Sequence, residues 1–205
     1  MTKPYNPAKL HQRLRQATKL AHHDLDHHPL LAPLIRPDLT LAEYGRALEA
    51  LQGVHGRAEP AILASLDGRP GLFDYHARRK LAALESDLAA LGRAPIVRLA
   101  SALPPPDTLG ALIGILYTIE GATQGGQFIA RNLHQLPLVK LPTTFFDAYG
   151  DLTQQRWNEF LQFADSQCPD EEQDLAVAAA VAMFDAIKRH LDVFAGAHGL
   201  QPIRS

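Results

Sequence analysis

The chain has 205 residues, 46% of them apolar and 20% charged, with a formal net charge of −2. This suits one compact, core-forming domain over 1–205 and excludes disorder, while the lack of a basic stripe or a block of like charges excludes a nucleic-acid or anionic-membrane footprint. A single cysteine, Cys168, excludes an internal disulfide and a multi-cysteine metal site, and no run approaches the roughly 18 apolar residues of a membrane span, so the expected setting is a reducing cytoplasm.

Apolar residues recur at three- and four-residue spacing, and alternating Val/Ile/Thr runs are absent, which predicts an all-α fold. The first helix spans about Asn6 to His27 and stops before Pro29. The second opens on the capping box Thr40-Leu-Ala-Glu43 and runs to about Leu66, with a bend admitted at Pro60. The third covers about Tyr75 to Leu91 and closes on Gly92 as a left-handed cap. Three prolines precede Asp107, the expected N-cap of a fourth helix that reaches about Leu133. After a Pro-containing loop, the last two helices cover about Asp151 to Ser166 and Pro169 to Gly196. Between them, Cys168 sits in an acidic connection that reads as exposed, and the ends 1–6 and 197–205 read as frayed.

Four of the ten histidines fall between His22 and His28. On a wheel of about 100° per residue, Leu10, Leu14, Ala17, Ala21 and Leu25 form the core stripe and His22 lies at its edge. His23 and His27 point to the other side and read as solvated, although a pair at i and i+4 is also compatible with zinc given a third ligand. Arg15 and Lys19 climb the helix beside His22, so an imidazole able to ligate a metal stands next to two cations that attract an anionic group. A haem with carboxylate arms meets both demands. On helix geometry alone, a boundary histidine hydrogen-bonded to its surroundings, with Arg15 and Lys19 solvated, is the plainer reading.

The fourth helix carries Gly110, Gly114, Gly121, Gly125 and Gly126, at a cost of about 1 kcal/mol each against alanine. With Tyr117 and Phe128, four of them share one face as a groove poor in side chains, where a flat ligand could lie. Close packing against another helix explains the same spacing. A phosphate-cradling loop does not, because no strand precedes the glycines and no Gly-Lys-Ser/Thr follows.

Taken in order, several short stretches resemble the biliverdin-producing haem oxygenases, in particular the bacterial branch found beside bacteriophytochromes. They are Leu14-Arg-Gln-Ala-Thr18 with His22 and Leu25-Asp26; Leu39-Thr40-x-x-Glu43-Tyr44; and His55 with Glu59-Pro60. The series continues with LESDLAALG from Leu84 to Gly92, Tyr117-Thr-Ile-Glu-Gly121 with Gly125-Gly126, and Arg156-Trp157-x-x-Phe160.

The resemblance implies a single-domain helical bundle with haem b between a proximal N-terminal helix and a kinked, glycine-rich distal helix. His22 matches the iron ligand, and Gly121, Gly125 and Gly126 match the distal glycines. Arg15 and Lys19 match positions facing the haem propionates, with Tyr117, Arg156 and the aromatic Phe128 as further haem contacts, and Gln124 is placed to hydrogen-bond distal water. It further implies O₂- and electron-dependent cleavage of haem to biliverdin, CO and ferrous iron, with a ferredoxin or flavin-dependent reductase as donor and a bacteriophytochrome as a plausible acceptor of the bilin. One position departs from the pattern: many members carry an aspartate where this chain has Ala122. That departure leaves room for a haem carrier or sensor without ring chemistry, while a haem-free relative handling a metabolite or a di-iron centre is the third reading. Di-iron is disfavoured because no Glu-x-x-His pair recurs on two helices.

Overall fold

The computed structural model describes residues 8–94, 98–136 and 140–200. Six α-helices account for most of them: α1 (Ala8–Asp26), α2 (Leu41–Asp67), α3 (Leu81–Ala90), α4 (Leu109–Leu133), α5 (Thr153–Gln167) and α6 (Gln173–Ala197). No strand occurs among the described residues, as the three- and four-residue spacing of apolar positions requires.

The capping box forms as expected, with Glu43 N–H donating to Thr40 Oγ1 at 3.2 Å and Thr40 N–H to Glu43 Oε2 at 2.9 Å. Gly92 takes φ 68° after α3. Four expectations need correction. The third helix begins at Leu81 rather than Tyr75, because the buried Glu59 carboxylate of α2 accepts the amides of Lys80 and Leu81 at 2.7 and 2.9 Å and so caps α3 from outside; 76–78 form only a 3-10 turn. The cap of α4 is Thr108, whose hydroxyl accepts Ala111 N–H at 3.1 Å, and not Asp107. Cys168 is buried rather than exposed, since the connection folds inward and its amide continues α5 by donating to Ala164 O at 3.1 Å. Residues 197–200 do not fray: Gly199 at φ 69° lets Leu200 N–H return to Ala195 O at 3.0 Å. The expected frayed ends at 1–6 and 201–205, like Asn6 and Pro7 of the first helix, lie outside the described residues.

Packing centres on α4 and α6. One core joins Leu10 and Leu14 of α1, Ala58 and Ile62 of α2, Leu112 and Leu116 of α4, Phe160 of α5 and Met183 and Leu191 of α6. A second, smaller core joins Tyr44, Leu84, Leu88, Ala130 and Phe146. The α1 stripe differs from the wheel at one place: Ala17 is exposed, and Thr18 is buried with its hydroxyl donated to Leu14 O at 2.8 Å. A threonine can enter a helix interface once its hydroxyl bonds back to the preceding turn.

Candidate functional site

Both α1 and α4 run parallel to α6. Along α1, Arg13 bonds Gln173 at 3.1 Å and pairs with Asp174, the His22 ring lies 6.0 Å from that of Phe184, and His28 Nε2 reaches Asp192 at 3.2 Å. Along α4, Gly110 N–H donates to Glu172 Oε2 at 2.6 Å, and a Cβ on Gly114 would strike the Ala176 carbonyl. Two helices parallel to a third are parallel to each other. They meet where the Tyr117 hydroxyl reaches Thr18, with His11 and Trp157 beside the Tyr117 ring at centroid separations of 6.3 and 5.7 Å. One turn further along each helix stand His22 and Gly121, since residues four apart share a helix face. The Thr18–Tyr117 contact thus sets the turns that carry His22 and Gly121 on neighbouring helices, in the same direction from that contact.

Each helix has its own chemistry. His22 Nδ1 donates to Asp26 Oδ2 at 3.0 Å, which leaves Nε2 as the ring nitrogen open to a metal. Both side chains are largely exposed, at 62% and 59%. A carboxylate on the second nitrogen is the arrangement that orients a metal-binding imidazole. Arg15 and Lys19 are exposed on the same helix, and the Arg15 charge reaches both His11 and Tyr117. Burial, and after it the Arg15 guanidinium, holds His11 below its ordinary pKa; burial raises that of Tyr117.

The glycine stripe divides. Gly110 and Gly114 are sites of close helix contact, because a Cβ on either would collide with the backbone of Glu172 or Ala176. They are not part of a ligand groove. Gly121 and Gly125 behave otherwise: a Cβ on Gly121 would meet only the Trp157 ring at 3.6 Å, and one on Gly125 would meet nothing within 4 Å. A Cβ on Gly126 would come within 3.0 Å of the Phe146 carbonyl, so α4 packs closely on the 144–149 turn segment there. Ala122 is exposed and brings no acid to this stretch.

The remaining expected residues divide in the same way. Gln124 directs its amide at Thr153 O over 3.4 Å. Phe128 is exposed, at 55%, one turn beyond Gly125. Arg156 pairs with Glu159 at 3.4 Å, and its carbonyl accepts Arg78 Nη1 at 3.0 Å. His23 and His27 are exposed with rings 4.2 Å apart, His27 Nδ1 donating to His23 O at 2.8 Å; among the described residues no group of three or more His, Cys, Asp or Glu converges on a metal position. Two neighbours of the candidate residues escaped sequence reasoning, Phe184 against His22 and Trp157 against Gly121, since both come from elements distant in the chain. The Asp26 contact was readable from its i, i+4 spacing.

The all-α bundle carries a carboxylate-held, exposed imidazole on α1 and helix backbone poor in side chains on α4. The sequence matches the family model described as Heme oxygenase over residues 8–192, nearly the whole chain, and the protein belongs to that family. Its members bind haem as their substrate, and the chain is an enzyme of this haem-cleaving class. Among solved structures, the heme oxygenase from Leptospira interrogans matches with a TM-score of 0.71 at 18% identity, covering 90% of this chain and 98% of that one. This likeness extends the fold assignment and nothing further. No curated protein matches the sequence. Among the described residues, no helix is long and apolar enough to cross a membrane.

Proposed function

We propose that the chain opens the ring of haem b to biliverdin, CO and ferrous iron, using O₂ and electrons from an external donor. What supports this reading is His22, whose Nδ1 is held by Asp26 so that Nε2 is left for a metal, one turn past the Thr18–Tyr117 contact on α1, together with the side-chain-poor backbone at Gly121 and Gly125, one and two turns past it on α4. The residues fit the group: an imidazole for the iron, two exposed cations on the same helix for carboxylates, and a stretch of backbone without side chains against which a flat macrocycle can lie.

Bound haem supplies the redox chemistry, and the chain supplies position. His22 would hold the iron, and the bare backbone at Gly121 and Gly125 would leave room for O₂. Arg15 and Lys19, with Tyr117 and Arg156, would hold the propionates and so set the orientation of the ring. Trp157, stacked on Phe160 at 5.4 Å, limits how deep the porphyrin enters beside Gly121. Gly126 and Gln124 tie α4 to the segments at 146 and 153 and keep that stretch of backbone in place. A ferredoxin or flavin-dependent reductase in the cytoplasm fits as donor, and a bacteriophytochrome as acceptor of the bilin, in keeping with the bacteriophytochrome-associated branch.

The test is a haem titration of wild type and His22→Ala, followed by reductant-driven turnover in air. Wild type should give a Soret band that decays into bilin absorption, and His22→Ala should lose the ligated spectrum. An unchanged Soret band and affinity in the variant removes the assignment. The exposed Ala122 motivates the second reading, a carrier or sensor; a complex whose Soret band persists under reductant and O₂ without bilin would establish it.

A further inference from the structure

The C-terminal end of α1 carries a second pair of imidazoles, which haem cleavage leaves unused. His23 and His27 stand at i and i+4, both exposed, with ring centroids 4.2 Å apart. His27 is the first residue past α1, yet its amide still donates to His23 O at 3.3 Å, so the two side chains share one helical turn. That turn is anchored, because the next residue, His28, is buried with Nε2 3.2 Å from Asp192 on α6.

The pair is prepared for a metal. His27 Nδ1 donates to His23 O at 2.8 Å, which leaves the Nε2 lone pair free, and a backbone carbonyl on the second nitrogen is a common way to orient a ligating imidazole. The His23 ring makes no hydrogen bond among the described residues. One chain supplies no more than these two ligands: no three His, Cys, Asp or Glu converge among the described residues, and the stretches 1–7, 95–97, 137–139 and 201–205 contain none of the four types. Zinc takes four ligands in a tetrahedral array, at about 2.0–2.1 Å to each imidazole, so two must come from outside the chain. Leu20 points to the source. It lies on the same face, within about 60° of His23 and about 20° of His27 on the helix wheel. At 78% it is the most exposed large hydrophobic residue among those described. An apolar side chain beside two open imidazoles suits a second copy, since a twofold axis brings an identical pair opposite the first.

We propose that His23 and His27 form half of a zinc site, completed by the same two histidines of a second copy of this chain, with Leu20 packed beside the ion across a twofold interface. Four neutral imidazoles then surround one zinc ion per two chains, with four coordinate bonds formed and no change of oxidation state. The site is incomplete in a single chain, so zinc binding and dimerisation are one event. It is independent of the haem reading, since neither His22 nor Asp26 takes part.

Analytical ultracentrifugation of the haem-free chain, free of any polyhistidine tag, with and without zinc chloride is the test. Zinc should convert monomer to dimer, or tighten a zinc-free dimer at least about tenfold, and EDTA should reverse the change. The bound metal should number one per two chains. Cobalt(II) in place of zinc should give the strong visible bands of tetrahedral ligation. His23→Ala and His27→Ala should each abolish the response, Leu20→Ser should weaken the zinc dimer severalfold, and His22→Ala should keep it. All four side chains are exposed, so these variants change the surface and not the core. Sedimentation unchanged by zinc, one zinc per chain, weak octahedral cobalt bands, or a zinc dimer that survives loss of both His23 and His27 overturns the site. Loss of the zinc dimer in His22→Ala overturns it as well, and a Leu20→Ser dimer as tight as wild type overturns the twofold contact.

Discussion

His22 and Asp26 are bonded one turn apart on α1, Nδ1 to Oδ2 at 3.0 Å, and neither side chain supports the core. Removing Asp26 should therefore change the site and spare the fold. Asp26→Ala is expected to weaken haem binding about 10- to 100-fold, the usual loss when the carboxylate behind a ligating histidine is deleted. Soret titration measures the affinity, and an unchanged melting temperature of the haem-free protein confirms that only the site was touched.

The two halves of the glycine stripe should respond to alanine with opposite signs. Gly114→Ala drives a Cβ into the Ala176 carbonyl and to 2.8 Å from the Ala180 amide nitrogen, backbone that cannot step aside, and should cost about 1–3 kcal/mol or more. Gly125→Ala adds its methyl to open space and gains helix propensity of up to about 1 kcal/mol, raising the melting temperature of the haem-free protein by about 2–4 °C. Haem affinity of Gly125→Ala should fall, because the methyl narrows the proposed haem site.

Lys80 and Glu120 form a buried pair within a cluster with Arg78 and Tyr149, so loss of Glu120 leaves Lys80 buried without a carboxylate and loss of Lys80 breaks the charge balance around Glu120 and Arg78. Burial lowers the Lys80 pKa and Glu120 restores part of it. Lys80→Met and Glu120→Leu should each cost about 3–5 kcal/mol in urea unfolding, and the double variant should lose less than the sum.

Acid should weaken the fold through its buried histidines. Burial, the largest cause, lowers the His190 pKa below 6.5 although its Nε2 donates to Ala50 O at 3.0 Å, and burial does the same for His28 against the pull of Asp192. The unfolded chain then binds protons that the folded chain refuses, so stability is complete above about pH 6.5 and falls as the pH drops toward the folded values. Urea midpoints at pH 7.5 and 5.5 should show the decline, and His190→Gln, which keeps a donor for Ala50 O, should flatten it.

Cys168 should be a slow thiol. Burial, followed by the Glu172 and Asp170 carboxylates, pushes its pKa up to about 11. Ellman's reagent at pH 8 should label the native protein at least roughly 100-fold more slowly than the unfolded chain.

Much of the fold was legible because helices declare themselves locally. Thr40 and Glu43 announce the start of α2, Gly92 the end of α3, and the apolar spacing the all-α class. The start of α3 was not legible, since the carboxylate that caps it belongs to Glu59, more than twenty residues upstream. Nor was the burial of Cys168, whose neighbours are acidic in sequence while its side chain packs inward in space. At the site, sequence singled out His22, Arg15, Lys19 and the distal glycines, and left each with a plain structural alternative.

Spacing along single helices determined which residues share a face: His22 with its flanking cations, and the glycines with Tyr117. Only the tertiary structure decided what each face meets. It pressed Gly110 and Gly114 against Glu172 and α6, opened Gly125 to solvent, set Trp157 beside Gly121 and brought Thr18 to Tyr117. The reason is physical: helical periodicity is set by bonds between near neighbours, whereas the gap between two helices is set by their common packing on a third, and that distance is written in no single segment.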